Sequence, residues 1–264
     1  MHPRALILNQ QGFSLAETAI ALAVIAVVIG LMVPTLLSVR VAEQARATTQ
    51  NLQTVMRSIA AFVQASGYVP CPIDPGAPFS ESKRDCDIAV GVVPFQSLGL
   101  SQSFAKDAYG RWLTYAVDIN LAKFAVTPPS KMLPVNGPDG LCSLAFSSAT
   151  SLKVRLSGAN EQQNIAVVLL SHGANGRGAY KNTATDETDL FPFPNTVPAC
   201  STTEGAERCN ADGNISFVAG LPGQFSKVVN GTPVDDPFDD VYLYLDRNAL
   251  VTYLGNQPCT TEWK

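Results

Sequence analysis

Two histidines, His2 and His172, are all that the 264 residues contain, so centres built from several imidazoles, such as those of zinc, copper and non-haem iron, are excluded. Concentrated positive charge is missing as well. Lysine and arginine number 18 against 22 aspartates and glutamates, a formal net charge of −4, and the basic residues are scattered. The chain therefore lacks the clustered cations with which nucleic-acid binders displace counterions, and no specific nucleic-acid partner is expected. Neither a Gly-x-Ser-x-Gly elbow nor a Cys-x-x-Cys pair occurs, which removes the usual signature of a hydrolase nucleophile and of a four-cysteine zinc site. The most telling absence is local. From Thr18 through Val39 there is not one charged side chain.

What is present fits one globular head on a long helical stem. Hydrophobic residues make up 46% and charged residues 15% of the chain, enough for one core but not for two ordinary domains once the stem is set aside. The 22 uncharged residues Thr18–Val39, at about 1.5 Å of rise each, would extend roughly 33 Å as a helix and cross a bilayer core. A secretory signal would end at a small-residue cleavage site after the apolar run. Here the run passes through Pro34 into a polar stretch without such a site. A carboxylate, Glu17, stands at the very start of the run, where an uncompensated charge is costly and marks a function. All six cysteines, at 71, 86, 142, 200, 209 and 259, lie beyond the apolar segment, as expected of a disulfide framework in an extracytoplasmic head.

The segment Gly12-Phe13-Ser14-Leu15-Ala16-Glu17 resembles the prepilin cleavage motif of type IV pilins and type II secretion pseudopilins. That resemblance implies a leader, residues 1–12, removed by the membrane prepilin peptidase on the cytoplasmic side, after which Phe13 becomes the methylated N-terminus. It also implies that Glu17 and the helix-bending Pro34 serve assembly with other pilin or pseudopilin subunits. The mature chain would wait in the bacterial inner membrane as a single-pass protein with its head in the periplasm, then join a pilus or secretion pseudopilus. The physical chemistry of these residues agrees. Pro34, four residues after Gly30, lacks an amide hydrogen and would kink the helix, and Glu17 packed among neighbouring helices needs a cation such as another subunit's N-terminal amine. The competing reading is a signal-anchored periplasmic enzyme or binding protein with an unrelated head.

Residues 40–66 contain neither glycine nor proline, and Leu52, Val55, Met56, Ile59, Phe62 and Val63 recur at three- and four-residue intervals, the stripe of an amphipathic helix. One helix is therefore expected over 13–66, with its transmembrane part at about 18–39, a stop at Gly67 and a head over 67–264. A coiled-coil dimer through the same stripe is disfavoured by its shortness. Beyond Tyr68, β-prone runs at Leu113–Val117, Leu152–Leu156, Ile165–Leu170 and Val241–Leu245 suggest an antiparallel sheet, and helix first with strands afterwards is the α+β order. Resemblance to minor pilins extends more weakly over Tyr68–Pro72, Val93–Leu100, Asp107–Arg111, Leu113–Val117 and Asp239–Leu245. The stretch of about 182–234 matches nothing, and its part Phe191–Gly223 reads as a disulfide-tied excursion holding Cys200 and Cys209.

Within the head, Cys71 with Cys86 and Cys200 with Cys209 are favoured as local bridges, leaving Cys142 with Cys259, although six cysteines allow many pairings. Asp235, Asp236, Asp239 and Asp240 crowd into six residues. The blander reading is a solvated acidic turn; the other is a calcium site, to which the resemblance adds weight because major pseudopilins bind calcium near their C-terminal strand, although no EF-hand-like spacing is present. Ser171 adjoins His172, but neighbours along a strand point to opposite faces and no oriented acid completes a triad. His172 is expected at a turn or sheet edge, and catalysis is not expected. Gly173-Ala174-Asn175-Gly176 opens no helix, so it does not read as a phosphate-binding loop.

Overall fold

The computed structural model describes residues 14–66, 68–83, 86–122, 124–127, 131–134, 151–156, 161–186, 188–194, 199–200, 206–220, 227–229, 232–234 and 238–253. Their elements in chain order are α1 (Leu15–Ser66), β1 (Val90–Val92), β2 (Thr114–Val117), β3 (Phe124–Thr127), β4 (Lys131–Pro134), β5 (Leu152–Leu156), β6 (Glu161–Ser171), α2 (Ala206–Cys209), β7 (Ser216–Ala219), β8 (Lys227–Val229), β9 (Thr232–Val234), β10 (Val241–Asp246) and α3 (Arg247–Tyr253). The protein is thus α+β. It divides into two compact units, 1–43 and 44–264, with the division inside α1.

In the first unit α1 opens on a reciprocal cap. The Ser14 backbone N–H donates to Glu17 Oε2 at 2.9 Å and the Glu17 N–H donates to Ser14 Oγ at 3.2 Å, a capping box that satisfies two of the helix's orphan donors. The side chains of Leu15, Ile20, Leu22, Val24, Ile25, Val27, Val28 and Ile29 that follow are exposed. Among the described residues no helix is long and apolar enough to cross a membrane. The expected span Thr18–Val39 includes 30–38, whose side chains, Pro34 among them, lie outside the description, as do the leader, Phe13 and the expected stop at Gly67.

The second unit is built on the stripe of α1. Leu52, Val55, Met56, Ile59 and Val63 are buried and form one hydrophobic cluster with Tyr115, Val117, Val167 and Leu169 of the sheet. Polar ties fix the contact: Thr48 Oγ1 accepts the Ala108 N–H at 3.1 Å and Asn51 Nδ2 donates to the Lys106 carbonyl at 2.8 Å. After the helix, the Tyr115 hydroxyl donates to the Pro70 carbonyl at 2.7 Å, holding the chain against β2.

The main sheet runs β1-β2-β6-β5-β7, with β10 also paired to β6. From Ile165 to Ser171 strand β6 is buried at every position, which requires cover on both faces. Val167 and Leu169 join the α1 cluster, whereas Val168 joins Leu152, Val154, Phe217 and Ala219 in a second one. The strand runs at Leu152–Leu156, Ile165–Leu170 and Val241–Leu245 all fall in strands of this sheet, and the run at Leu113–Val117 does so from Thr114. The expectation of an antiparallel sheet is corrected in one place. β7 lies parallel to β5, with Lys153 opposite Ser216 and Leu156 opposite Ala219, so the sheet is mixed. In chain order β6 stands between the two and runs antiparallel to β5, so it returns the chain to the end from which β7 sets out alongside the far edge of β5. Two small ribbons pair β3 with β4 and β8 with β9.

Candidate functional site

Three segments distant in sequence meet at the end of β6. The first is the loop Ser171–Gly178. Gly173 and Gly176 in it have φ of +54° and +67°, the left-handed region that glycine adopts without strain. A Cβ on Gly173 would lie 2.4 Å from Asp239 Oδ1, and one on Gly176 would meet the Arg111 guanidinium. Missing side chains are thus what let the loop close on these two groups. The second segment, α2, is tied at its end by the Cys200–Cys209 disulfide and carries Glu207. The third is the turn Asp239-Asp240 entering β10.

These segments bring one carboxylate oxygen each of Glu207, Asp239 and Asp240 within 4.8 Å of one another. Glu207 is 2% exposed and Asp240 3%, so Asp240 is not a solvated residue, while Asp239 is half-buried. Asparagine side chains and two backbone amides order the cluster, one of the amides being the Asp239 N–H, which donates to Glu207 Oε1 at 3.4 Å. Asn175 donates from Nδ2 to Glu207 Oε1 at 2.8 Å and from its backbone N–H to Asp239 Oδ2 at 2.9 Å. Asn210 donates from Nδ2 to Asp240 Oδ2 at 2.7 Å, and its Oδ1 accepts the Val218 N–H at 2.7 Å. Burial, followed by repulsion from Asp239, pushes the Glu207 carboxyl up to about 7. Burial, then repulsion from Glu207, raises Asp240 well above the usual carboxylate range. A hard cation or bound protons would relieve this crowding.

Of the aspartates singled out from sequence, Asp239 and Asp240 are in the cluster, while Asp235 and Asp236 lie outside the described residues. Glu207 was missed. It sits in a four-residue helix too short to show periodicity, and only its position two residues before Cys209 marked it as tethered.

His172 stands between the end of β6 and the turn at 173–175, as expected. It follows β6 directly but is 1% exposed, with Nε2 3.0 Å from Thr114 Oγ1. Burial, reinforced by the Arg111 guanidinium, lowers its pKa to about 3, so it is neutral throughout the physiological range. Ser171 turns the other way and donates from Oγ to Asp107 Oδ2 at 2.9 Å. The two side chains therefore have separate partners and form no nucleophile–base pair.

The favoured local bridges are formed. Cys71–Cys86 and Cys200–Cys209 have Cα separations of 5.1 and 4.8 Å, within the normal disulfide range. Cys142 and Cys259 lie outside the described residues, as do Gly12 and Phe13, while Glu17 occupies the third helical position of α1 in its capping box. No protein-family profile, curated protein or solved structure matches the chain.

Proposed function

We propose that the chain is a pilin-like structural subunit, processed after Gly12 by a prepilin peptidase and assembled through α1 into a type IV pilus or a type II secretion pseudopilus. The observation that carries this reading is the juxtaposition at the start of α1. The Gly12–Glu17 motif leads directly into a capped helix of 52 residues whose early apolar side chains are exposed and whose later ones, Leu52 to Val63, are buried in the head. Such a helix offers its first part to lipid or to other copies and uses its second part to carry the head. Two disulfides accord with a periplasmic or extracellular head.

The capping box refines the test. A charged Glu17 serves two ends: it caps its own helix, and it is available to a neighbouring subunit's Phe13 amine. Glutamine keeps the capping geometry and drops the charge, whereas valine drops both. Both Glu17→Gln and Glu17→Val are expected to be cleaved and folded but depleted from sheared fibres relative to membrane extracts. Normal incorporation of the Glu17→Gln protein would show that charge pairing does not drive assembly.

A second reading, an anchored periplasmic binding protein, draws on a cavity of about 540 Å³ lined by Val90, Thr114, Tyr180, Asn210 and Asp212 among others, within the usual size of small-molecule sites. It requires no cut after Gly12, so the processed N-terminus separates the two.

A further inference from the structure

We infer that Asn214 is an acceptor for N-linked glycosylation, taking an oligosaccharide from a polyprenyl-pyrophosphate carrier outside the cytoplasm. The inference needs only an extracytoplasmic head, with which the disulfides accord, and not assembly into a fibre. It starts from the run Asp212-Gly213-Asn214-Ile215-Ser216, which contains the acceptor pattern Asn-x-Ser with a residue other than proline in the middle. So short a pattern also arises by chance. Asn230-Gly231-Thr232 is a second instance, with Val228 where Asn214 has Asp212.

What singles out Asn214 is how the fold presents it. Asp212, Asn214 and Ser216 are exposed, whereas Ile215 is half-buried and packs on the cluster of Leu152, Val154 and Phe217, anchoring the turn between two outward side chains. Gly213 takes a φ of +72°, and no atom beyond its chain neighbours lies within 4 Å of where its Cβ would be. The tip of the turn stands clear of the head. Asp212 orients the acceptor: its Oδ1 accepts the Asn214 backbone N–H and its Oδ2 an Asn214 Nδ2 hydrogen, both at 2.9 Å. An amide nitrogen is a poor nucleophile because its lone pair is delocalised into the carbonyl, and a carboxylate drawing on one N–H returns electron density to it. The exposed Ser216 hydroxyl is left for the transferase to read. In the transfer, Asn214 Nδ2 attacks C1 of the carrier-linked sugar. The N–C1 bond forms, the C1–O bond breaks, polyprenyl pyrophosphate leaves with the bonding pair, and one Nδ2 proton passes to a base of the transferase.

Strand β7 gives the sugar both a place and a use. The Lys153 N–H donates to the Ile215 carbonyl at 2.9 Å, so in the parallel pairing with β5 the Ser216 backbone faces outward. Further along that outer edge, Asn210 Oδ1 accepts the Val218 N–H at 2.7 Å and its Nδ2 donates to the Val218 carbonyl at 3.0 Å. Asn210 thus closes the edge at Val218 and leaves it open at Ser216, a liability that a sugar on Asn214 would cover. A cleft of about 270 Å³ beside it is lined by Asn214, Ser216, Lys153 and Glu161, and the ion pair of Lys153 and Glu161 at 3.2 Å offers partners to sugar hydroxyls.

The test reads the tryptic peptide 209–227 of full-length protein purified in detergent from its host, reduced and fragmented by electron transfer. Wild type should carry a sugar mass on Asn214. Ser216→Thr should keep it, Asn214→Gln and Ser216→Ala should lose it, and Asn230→Gln should leave it in place, while all four melt as wild type does. Asp212→Asn should lower occupancy at least about tenfold, the worth of one charge-assisted hydrogen bond, with Asp212→Glu restoring it in part. The processed N-terminus is read separately from the intact mass, so this assignment and the fibre reading fail independently. An unmodified peptide in wild type, or a sugar that survives Asn214→Gln, would overturn the assignment.

Discussion

Ile59 offers the sharpest test of how α1 carries the head. Its side chain is fully buried in the cluster shared with Tyr115, Val167 and Leu169. Replacement by alanine deletes three carbons, a transfer loss of about 2.4 kcal/mol at roughly 0.8 kcal/mol per methylene. The cavity left behind raises the expected cost to about 2–5 kcal/mol. Alanine is the better helix former, so any loss must come from packing and not from the helix itself. For a unit of this size each kcal/mol moves the midpoint by roughly 2–4 °C, giving a fall of about 4–20 °C. Gln53→Ala on the exposed face of the same helix should stay within about 0.5 kcal/mol. Thermal and urea unfolding followed by near-ultraviolet circular dichroism would read both. An Ile59→Ala protein as stable as the Gln53→Ala protein would mean that the stripe does not seat α1 on the sheet.

Two further outcomes are expected. Removing the Cys71–Cys86 bridge by a double serine substitution should cost about 3 kcal/mol, and removing Cys200–Cys209 about 2.5 kcal/mol, because loop-closure entropy depends on the logarithm of separations of 15 and 9 residues; urea midpoints with and without each bridge would check this. His172 is held neutral when folded, with its pKa lowered from 6.5 to about 3, so the unfolded chain binds a proton that the folded chain refuses. Stability should therefore fall as pH drops below about 6.5, by about 1.4 kcal/mol per unit down to about 3. Buried Glu207, Asp240 and Asp118, whose pKa values are raised, act in the opposite sense. The quantity to measure is thus the difference in pH slope between wild type and His172→Gln, and equal slopes would refute it.

The parts of this structure that were legible in the sequence are those set by local periodicity. The stripe Leu52 to Val63 marked the face of α1 that packs, and runs of β-branched and aromatic residues marked β2, β5, β6 and β10, because each pattern repeats within one element. The two bridges were legible because the cysteines stand close in sequence around irregular segments. β7 was not. Ser216–Ala219 is four residues inside a stretch without periodicity, and its pairing depends on the chain passing β5 to reach its far edge, which no local signal encodes. The carboxylate cluster was half legible: Asp239 and Asp240 lie together in the chain, but Glu207 joins them only through the disulfide-tied excursion. The place of His172 before a turn was legible from the glycines that follow it, but its burial was not, because its partner Thr114 comes from another part of the chain.

The central claim, that this is a processed fibre subunit, is tested most directly by intact-mass and N-terminal peptide analysis of the protein purified from its host. The expected mature chain has lost Met1–Gly12 and begins at N-methylated Phe13, with Gly12→Ala blocking the change. A retained leader in cells with an active prepilin peptidase, or a cut beyond Val39, would contradict it.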